Sequence, residues 1–376
     1  AIYINDWTYG TMYAVHLEPD GASYKASFEE FVYGKPLPLT DVIVHPNGKM
    51  YFMVGGRRTT SALYEVAYVG DESTAPVKPG AIDPLVTKRR ELEELHMDGV
   101  GEEAVAKALP HIGHDDRFIR YAARTAIEKQ PVAAWKDHLS KAPNDWARIE
   151  MAVALARVGA KDDQAAALKA LTGLEFGKLS QPQLLAALRA YQLSFARHGK
   201  PEGNQATAIV LSLDSLFPHQ DNYVNQELSK VLLYLNAPGA VSRTVQLVLN
   251  SPDVHQKILG DDVLQRNDRY AAAAKRAEQF RPNVQQFALA FNLRSIKEGW
   301  SDADHSSYFS WFPRAKTWQG GNSFAIFLEN TRKEALANVT DEAKRKKYDE
   351  MSKESMAPPK PVKSPVGPPR VWTVEE

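Results

Sequence analysis

The sequence predicts a mainly α chain, an α-solenoid preceded by a small antiparallel β segment about as long as one terminal blade of a β-propeller. Three observations predict it. Residues 1–70 alternate tight turns with short runs rich in aromatic and β-branched residues, and eight of the fifteen tyrosines lie before Gly70. From Pro84 onward the apolar residues change to helical spacing. The helical stripes then recur irregularly, with first members 30, 35 and 40 residues apart.

In the β segment, Thr11 to Leu17 reads as a strand with Tyr13, Val15 and Leu17 on one face. Pro19-Asp20-Gly21 turns it, since Pro presets φ and Gly accepts a positive φ. Further strands are expected over Tyr24 to Tyr33, Asp41 to His45, Lys49 to Val54 and Ala62 to Val69, with a turn at Pro46-Asn47-Gly48. This is too little strand to close a propeller or a sandwich. The chain is therefore expected to be a piece of a larger protein.

Residues 71–98 read as a linker and connecting helix, and residues 99–300 as the solenoid. Its stripes are Ile119, Ala123, Ala126 and Ile127; Ile149, Ala152, Val153 and Ala156; Leu184, Ala187, Leu188, Tyr191 and Phe195; and Val224, Leu228, Val231, Leu232 and Leu235. Shorter helices are expected at Glu102 to Leu109, Val132 to Leu139 and Asp163 to Leu171. Asp115 to Ala123 resembles the second helix of a HEAT repeat, with Asp115 or Asp116 as its cap and small alanines for close packing.

Residues 301–355 read as a helical cap. It is dense in aromatics, with a break at Gly320-Gly321-Asn322, a helix over Phe324 to Ala337 and a charged, solvated helix over Thr340 to Glu354. Residues 356–376 read as a linker toward a missing domain, because Ala357 to Arg370 holds six prolines in fourteen residues.

Composition excludes several function classes. The chain has 376 residues with 46 basic and 46 acidic side chains, so no global field draws it to nucleic acid or anionic lipid. No apolar run is long enough for a membrane span. It has no cysteine, which removes disulfides, thiolate metal sites, cysteine nucleophiles and covalent c-type haem from this chain. That usage fits an exported protein. The chain opens on Ala1 without a charged-then-apolar leader, which implies processing or a start farther upstream.

No Ser/His/Asp triad, phosphate loop or HExxH spacing is present, so no catalytic residue is assigned. His111 and His114 with Asp115 and Asp116 form a tight cluster of potential ligands. A divalent metal at a helix entrance is one reading; an inter-helix turn with an N-cap is the other, and capping accounts for the aspartates. Gly55-Gly56-Arg57-Arg58 offers either an anion cradle or a plain β-turn, and without a following helix the turn is preferred. Trp7 and Tyr9 read either as platforms for a sugar ring or as packing between blades. Trp311, Trp318 and Asn322 read either as a docking surface or as the packed cap that ends a solenoid. His305 beside Asp302 and Asp304 reads as a solvated helix start.

Asp6-Trp7, Thr11 to Leu17, Pro36 to Asp41, Gly55-Gly56-Arg57, Asp116 to Ala123 and Trp318 to Phe324 together carry a resemblance. The chain resembles the planctomycete-type haem-binding multidomain proteins, which join a sugar-dehydrogenase-like β-propeller, a HEAT-like solenoid and a c-type cytochrome domain. The resemblance implies that residues 1–70 are the propeller's last blade and that a Cys-X-X-Cys-His haem site follows this segment. It implies haem c in the parent protein and none here, a periplasmic or otherwise exported location, and carbohydrate oxidation or binding with electron transfer. The partners it implies are the missing blades and the cytochrome domain, with carbohydrate or protein partners beside them. The rival expectation is a stand-alone HEAT-repeat interaction module without a redox role.

Overall fold

The computed structural model describes residues 2–56, 59–73, 75, 80–97, 101–253, 260–321 and 323–356. Of the expected linker, 356–376, only Met356 is among the described residues, and its N–H donates to Pro313 O at 3.1 Å. The chain is mainly helical, with a small antiparallel β region at its N-terminus.

Six strands form this region: β1 Ile2–Asp6, β2 Thr11–Asp20, β3 Ser23–Tyr33, β4 Leu39–Val44, β5 Met50–Gly56 and β6 Thr59–Val66. Two differences from expectation stand out. A first strand, β1, was not foreseen. The strands also divide into two three-stranded meanders, β1-β2-β3 and β4-β5-β6, rather than one blade. The first strands of the two meanders, β1 and β4, lie against each other. Met12, Leu39, Met50, Phe52 and Val54 form a small core between the sheets. Alternation is clean on β5, where Met50, Phe52 and Val54 point inward and Met53 points out. Both expected turns are present. Gly21-Ala22 joins β2 to β3, and Asn47-Gly48 closes β4 to β5, with His45 exchanging backbone hydrogen bonds with Lys49 and Gly48.

The helices among the described residues are α1 Pro84–Glu94, α2 Glu102–Ala108, α3 Arg117–Glu128, α4 Asp145–Val158, α5 Gln164–Thr172, α6 Gln181–His198, α7 Gly203–Leu213, α8 Asn222–Tyr234, α9 Ala240–Asn250, α10 Asp261–Leu264, α11 Asp268–Gln279, α12 Val284–Leu293, α13 Asp302–Ala315, α14 Phe324–Ala337 and α15 Glu342–Lys353. One series of contacts joins α3 to α4, α4 to α6, α6 to α8 and α8 to α12. A second joins α5 to α7, α9 to α13 and α13 to α15, and the pairs α4 with α5 and α9 with α12 tie the two series together. A continuous apolar core runs along them to Tyr348.

The expected stripes on α3, α6 and α8 are buried throughout. On α4 the stripe is broader than expected. Val153 is only half-buried, whereas Met151, Ala154 and Leu155 are buried, because α4 is enclosed by α3, α5 and α6. The helix expected over Val132 to Leu139 is instead two 3₁₀ turns, Val132–Ala134 and Lys136–Lys141. The backbone of Trp135 leaves the helical region between them, which seats its fully buried indole.

The C-terminal helices also correct the sequence reading. α15 is not wholly solvated, since Tyr348 and Ser352 are buried against α13 and α14. The buried Arg332 on α14 pairs with Asp349 of α15 at 2.6 Å and with Glu329 of its own helix at 2.7 Å, so a charged residue of α15 serves the packing. His305 is not solvated either. Its ring stacks on Trp300 with centroids 4.5 Å apart and on Tyr348 at 5.3 Å, and burial lowers its pKa despite Asp302 and Asp304.

Asp116 joins the β region to the helical body. Its Oδ1 caps α3 by accepting the N–H groups of Phe118 at 2.8 Å and Ile119 at 3.2 Å. Its Oδ2 accepts the N–H of Ala22 at 2.7 Å, from the β2–β3 turn. Ala22 is fully buried in the main core. Gly21, at φ +59°, must be glycine, because a Cβ there would collide with the same Oδ2.

Two outcomes follow from this contact. Asp116→Ala should destabilise the protein by about 2–4 kcal/mol, from the lost cap and a buried unpaired N–H, read as a lowered denaturant midpoint. Asp116→Asn keeps the cap but puts an amide nitrogen in place of one oxygen, so it should chiefly speed hydrogen exchange at Ala22. The pH dependence has a fixed sign. Burial alone would raise the Asp116 carboxyl, but the N–H groups of Ala22, Phe118 and Ile119, with His114, hold it below its ordinary 3.8. Its contribution is therefore complete above pH about 4 and is lost as pH falls through the lowered folded-state value. Asp116→Ala should lack that acid-side step.

Candidate functional cleft at the β–α junction

A cleft of about 430 Å³ lies where the β region meets the helical body. Its first wall is the loop Trp7–Gly10. Asp6 Oδ1 shapes it by accepting the N–H groups of Thr8 at 2.8 Å and Tyr9 at 3.0 Å. Gly10 ends the loop at φ +63°, where a Cβ would stand 2.6 Å from the Gly34 carbonyl oxygen. The second wall is Gly34–Pro38, tied to the first by the Gly34 N–H donating to Gly10 O at 3.0 Å. The third wall is Arg266, Asn267, Asp268 and Tyr270, at the start of α11.

Three side chains bind the walls together. Arg266 donates to Thr11 Oγ1 and Glu30 Oε2, both at 2.8 Å, and its guanidinium lies 4.6 Å from the Tyr33 ring centroid. The hydrogen bond to Glu30 raises its pKa further, so it stays a fixed cation. Asn267 Nδ2 donates to Thr8 O at 2.7 Å, and Lys35 Nζ to Asp268 Oδ1 at 2.8 Å and Gln265 O at 2.7 Å. Among the described lining residues the charged groups are matched, Arg266 with Glu30 and Lys35 with Asp268.

Trp7 and Tyr9 both line this cleft. Trp7 is 41% exposed, yet its ring is held, because Nε1 donates to Gly55 O at 2.8 Å. The glycine pair serves that contact. A Cβ at Gly56 would stand 2.8 Å from the indole Cζ2, so Gly56 admits the ring while Gly55 supplies the accepting carbonyl. Arg57 and Arg58 lie outside the described residues, as does Asn322. Burial, then Asp6, raises the pKa of the Tyr9 hydroxyl, which stays a neutral donor and acceptor. The sequence reading did not join Trp7 and Tyr9 to Lys35, Arg266, Asn267 or Tyr270, and no local motif signals pairing across more than 200 residues.

The other candidates fall elsewhere. Trp311 is 2% exposed and donates its Nε1–H to Gln286 Oε1 at 3.0 Å, so it belongs to the interior and not to a surface. Trp318 is half-buried, edge-on to Trp311. His111, His114 and Asp115 sit in the turn before α3. His114 Nδ1 accepts the Asp116 N–H at 2.9 Å, and Arg120 donates to the carbonyls of His114 at 2.6 Å and Asp115 at 2.8 Å. Burial, then Lys88 and His114, lowers the His111 pKa. Among the described residues no three His, Cys, Asp or Glu side chains converge as metal ligands. No helix there is long and apolar enough to cross a membrane.

Comparison with protein families and with characterised proteins found no match.

The clamp at Arg266 has a measurable role. Arg266→Met should weaken the attachment of the β region by about 1–3 kcal/mol, the range for hydrogen bonds to charged groups. Faster amide exchange across β1–β3, with α4–α8 unchanged, is the expected readout.

Proposed function

We propose that this chain is the scaffold segment of an exported, periplasmic haem-binding redox protein. In that reading a HEAT-like α-solenoid holds a sugar-dehydrogenase-like β-propeller and a c-type cytochrome domain at fixed separation. The chain would supply geometry, with haem c and the redox chemistry residing in other domains of the parent protein.

One observation carries the reading. The outward face of β4-β5-β6 carries an exposed apolar cluster, with Ile43 54%, Met53 50% and Leu63 66% exposed and Met53 and Leu63 direct cross-strand partners, beside the Lys49–Glu65 ion pair. An exposed cluster of this kind ordinarily marks an interaction surface. Neighbouring blades would cover it. Two further features support the reading. The adjacent first strands of the two meanders suit blades arranged about one axis. The serial helix pairing suits a solenoid, whose repeats touch mainly their neighbours.

The native gene product tests this. The expected result is an open reading frame with propeller strands before Ala1 and Cys-X-X-Cys-His after Glu376. Protein from the native source should show a c-type haem absorption band. A native mass equal to these 376 residues alone, without haem, would sink the reading and favour the stand-alone HEAT-repeat interaction module.

A further inference from the structure

We propose that the cleft between the 3₁₀ turn Lys136–Lys141 and α5 binds a small soluble polyanion that carries two or more phosphate groups. The inference does not rest on the scaffold reading, because the cleft lies wholly within the helical body.

The cleft holds about 690 Å³, in the range of small-molecule sites. The 3₁₀ turn packs against both α4 and α5, which sets its two lysines along the cleft. At a 3₁₀ rise, five residue steps separate Lys136 from Lys141 by roughly 10 Å of backbone. Lys169 joins them from α5 and Arg148 from α4. Asp137 is the one carboxylate among the lining residues. The chain as a whole is neutral, so this local excess of cations comes from the fold and not from composition.

What these cations already do decides the ligand class. Lys136 pairs with Asp163 at 3.1 Å. Arg148 donates to Gly173 O at 3.0 Å and stands 3.9 Å from Asp145, beyond hydrogen-bond reach. Among the described residues its other N–H groups have no acceptor. Lys141 and Lys169 are exposed, and among the described residues neither has an ion pair. The turn, α4 and α5 are described throughout. A lysine is a compact point charge and an arginine a fork of donors, and the oxygens of a phosphate group suit both. Cations set along a cleft are matched better by linked phosphates than by one. Asp137 repels anions placed beside it, which sets the phosphates toward Lys141, Arg148 and Lys169. The Arg148–Gly173 and Lys136–Asp163 contacts hold the walls before any ligand arrives, which lowers the ordering cost of binding.

Isothermal titration calorimetry on the full chain at low ionic strength, with pyrophosphate and with tripolyphosphate, tests the proposal. Both should bind, and both more tightly than inorganic phosphate. Lys141→Gln combined with Lys169→Gln removes two exposed lysines and should weaken binding by about tenfold or more. Lys333→Gln combined with Lys346→Gln, on α14 and α15, changes the net charge equally and should leave binding within about twofold. Circular dichroism checks that both double variants are folded. Absence of binding to pyrophosphate and tripolyphosphate would overturn the proposal. So would equal weakening by the two double variants, since net charge alone would then account for binding. Tighter binding of hexaglutamate than of tripolyphosphate would overturn it too, because the cleft would then suit an acidic protein segment.

Discussion

The two carboxylate oxygens of Asp116 complete the backbone hydrogen bonding of elements that are far apart in the chain. One oxygen starts α3, and the other holds the β2–β3 turn 94 residues earlier. Each demand alone is met by many residue types. Together they require a short, doubly accepting side chain in one orientation, with a glycine at position 21 to let the turn approach. Arg120 supports that orientation from below, by gripping the carbonyls of His114 and Asp115 while its guanidinium lies 3.7 Å from the Trp146 ring centroid. The cluster that in sequence reads either as metal ligands or as a capped inter-helix turn is therefore the joint of the molecule.

The charges beneath this joint continue into the helical body. Arg120 and Arg124 flank Glu150 at 3.6 and 3.4 Å, and Glu128 is shared with Arg157 at 2.9 Å. Burial pushes the Glu150 carboxyl up, while Arg124 and Arg120 pull it down. Such a network adds little net stability over apolar packing, but removing one member leaves another charge stranded. It fixes how α3 and α4 sit against each other, and through α3 it fixes the site where the β region attaches.

Much of the helical body was legible in sequence, because a 3.6-residue apolar stripe is a local signal. α14 runs over the expected residues, and the α3, α6 and α8 stripes are buried as read. The reading failed where a local pattern met a non-local demand. Val132 to Leu139 has helical spacing but must bury Trp135. Residues 342–353 look like a solvated helix but carry Tyr348 into the cap. β1 was within reach, since Ile2 and Ile4 alternate with Tyr3 and Asn5, but it is short and ends at once in a loop. At the cleft, Trp7 and Tyr9 were identifiable as aromatics near a loop, whereas Lys35, Asn267 and Tyr270 carry no motif and become neighbours only through the fold.

The ties between the β region and the body also bear on how the chain folds as it leaves the ribosome. Helices of the body mostly meet close neighbours in sequence, so they can consolidate as they are made. Thr8, Thr11 and Lys35 find their partners 259, 255 and 230 residues later. The N-terminal strands are synthesised first but cannot complete their attachment until α11 has emerged. During that interval the strands lack these ties, and a chaperone that shields β-strands early in synthesis would act on this stretch before any other.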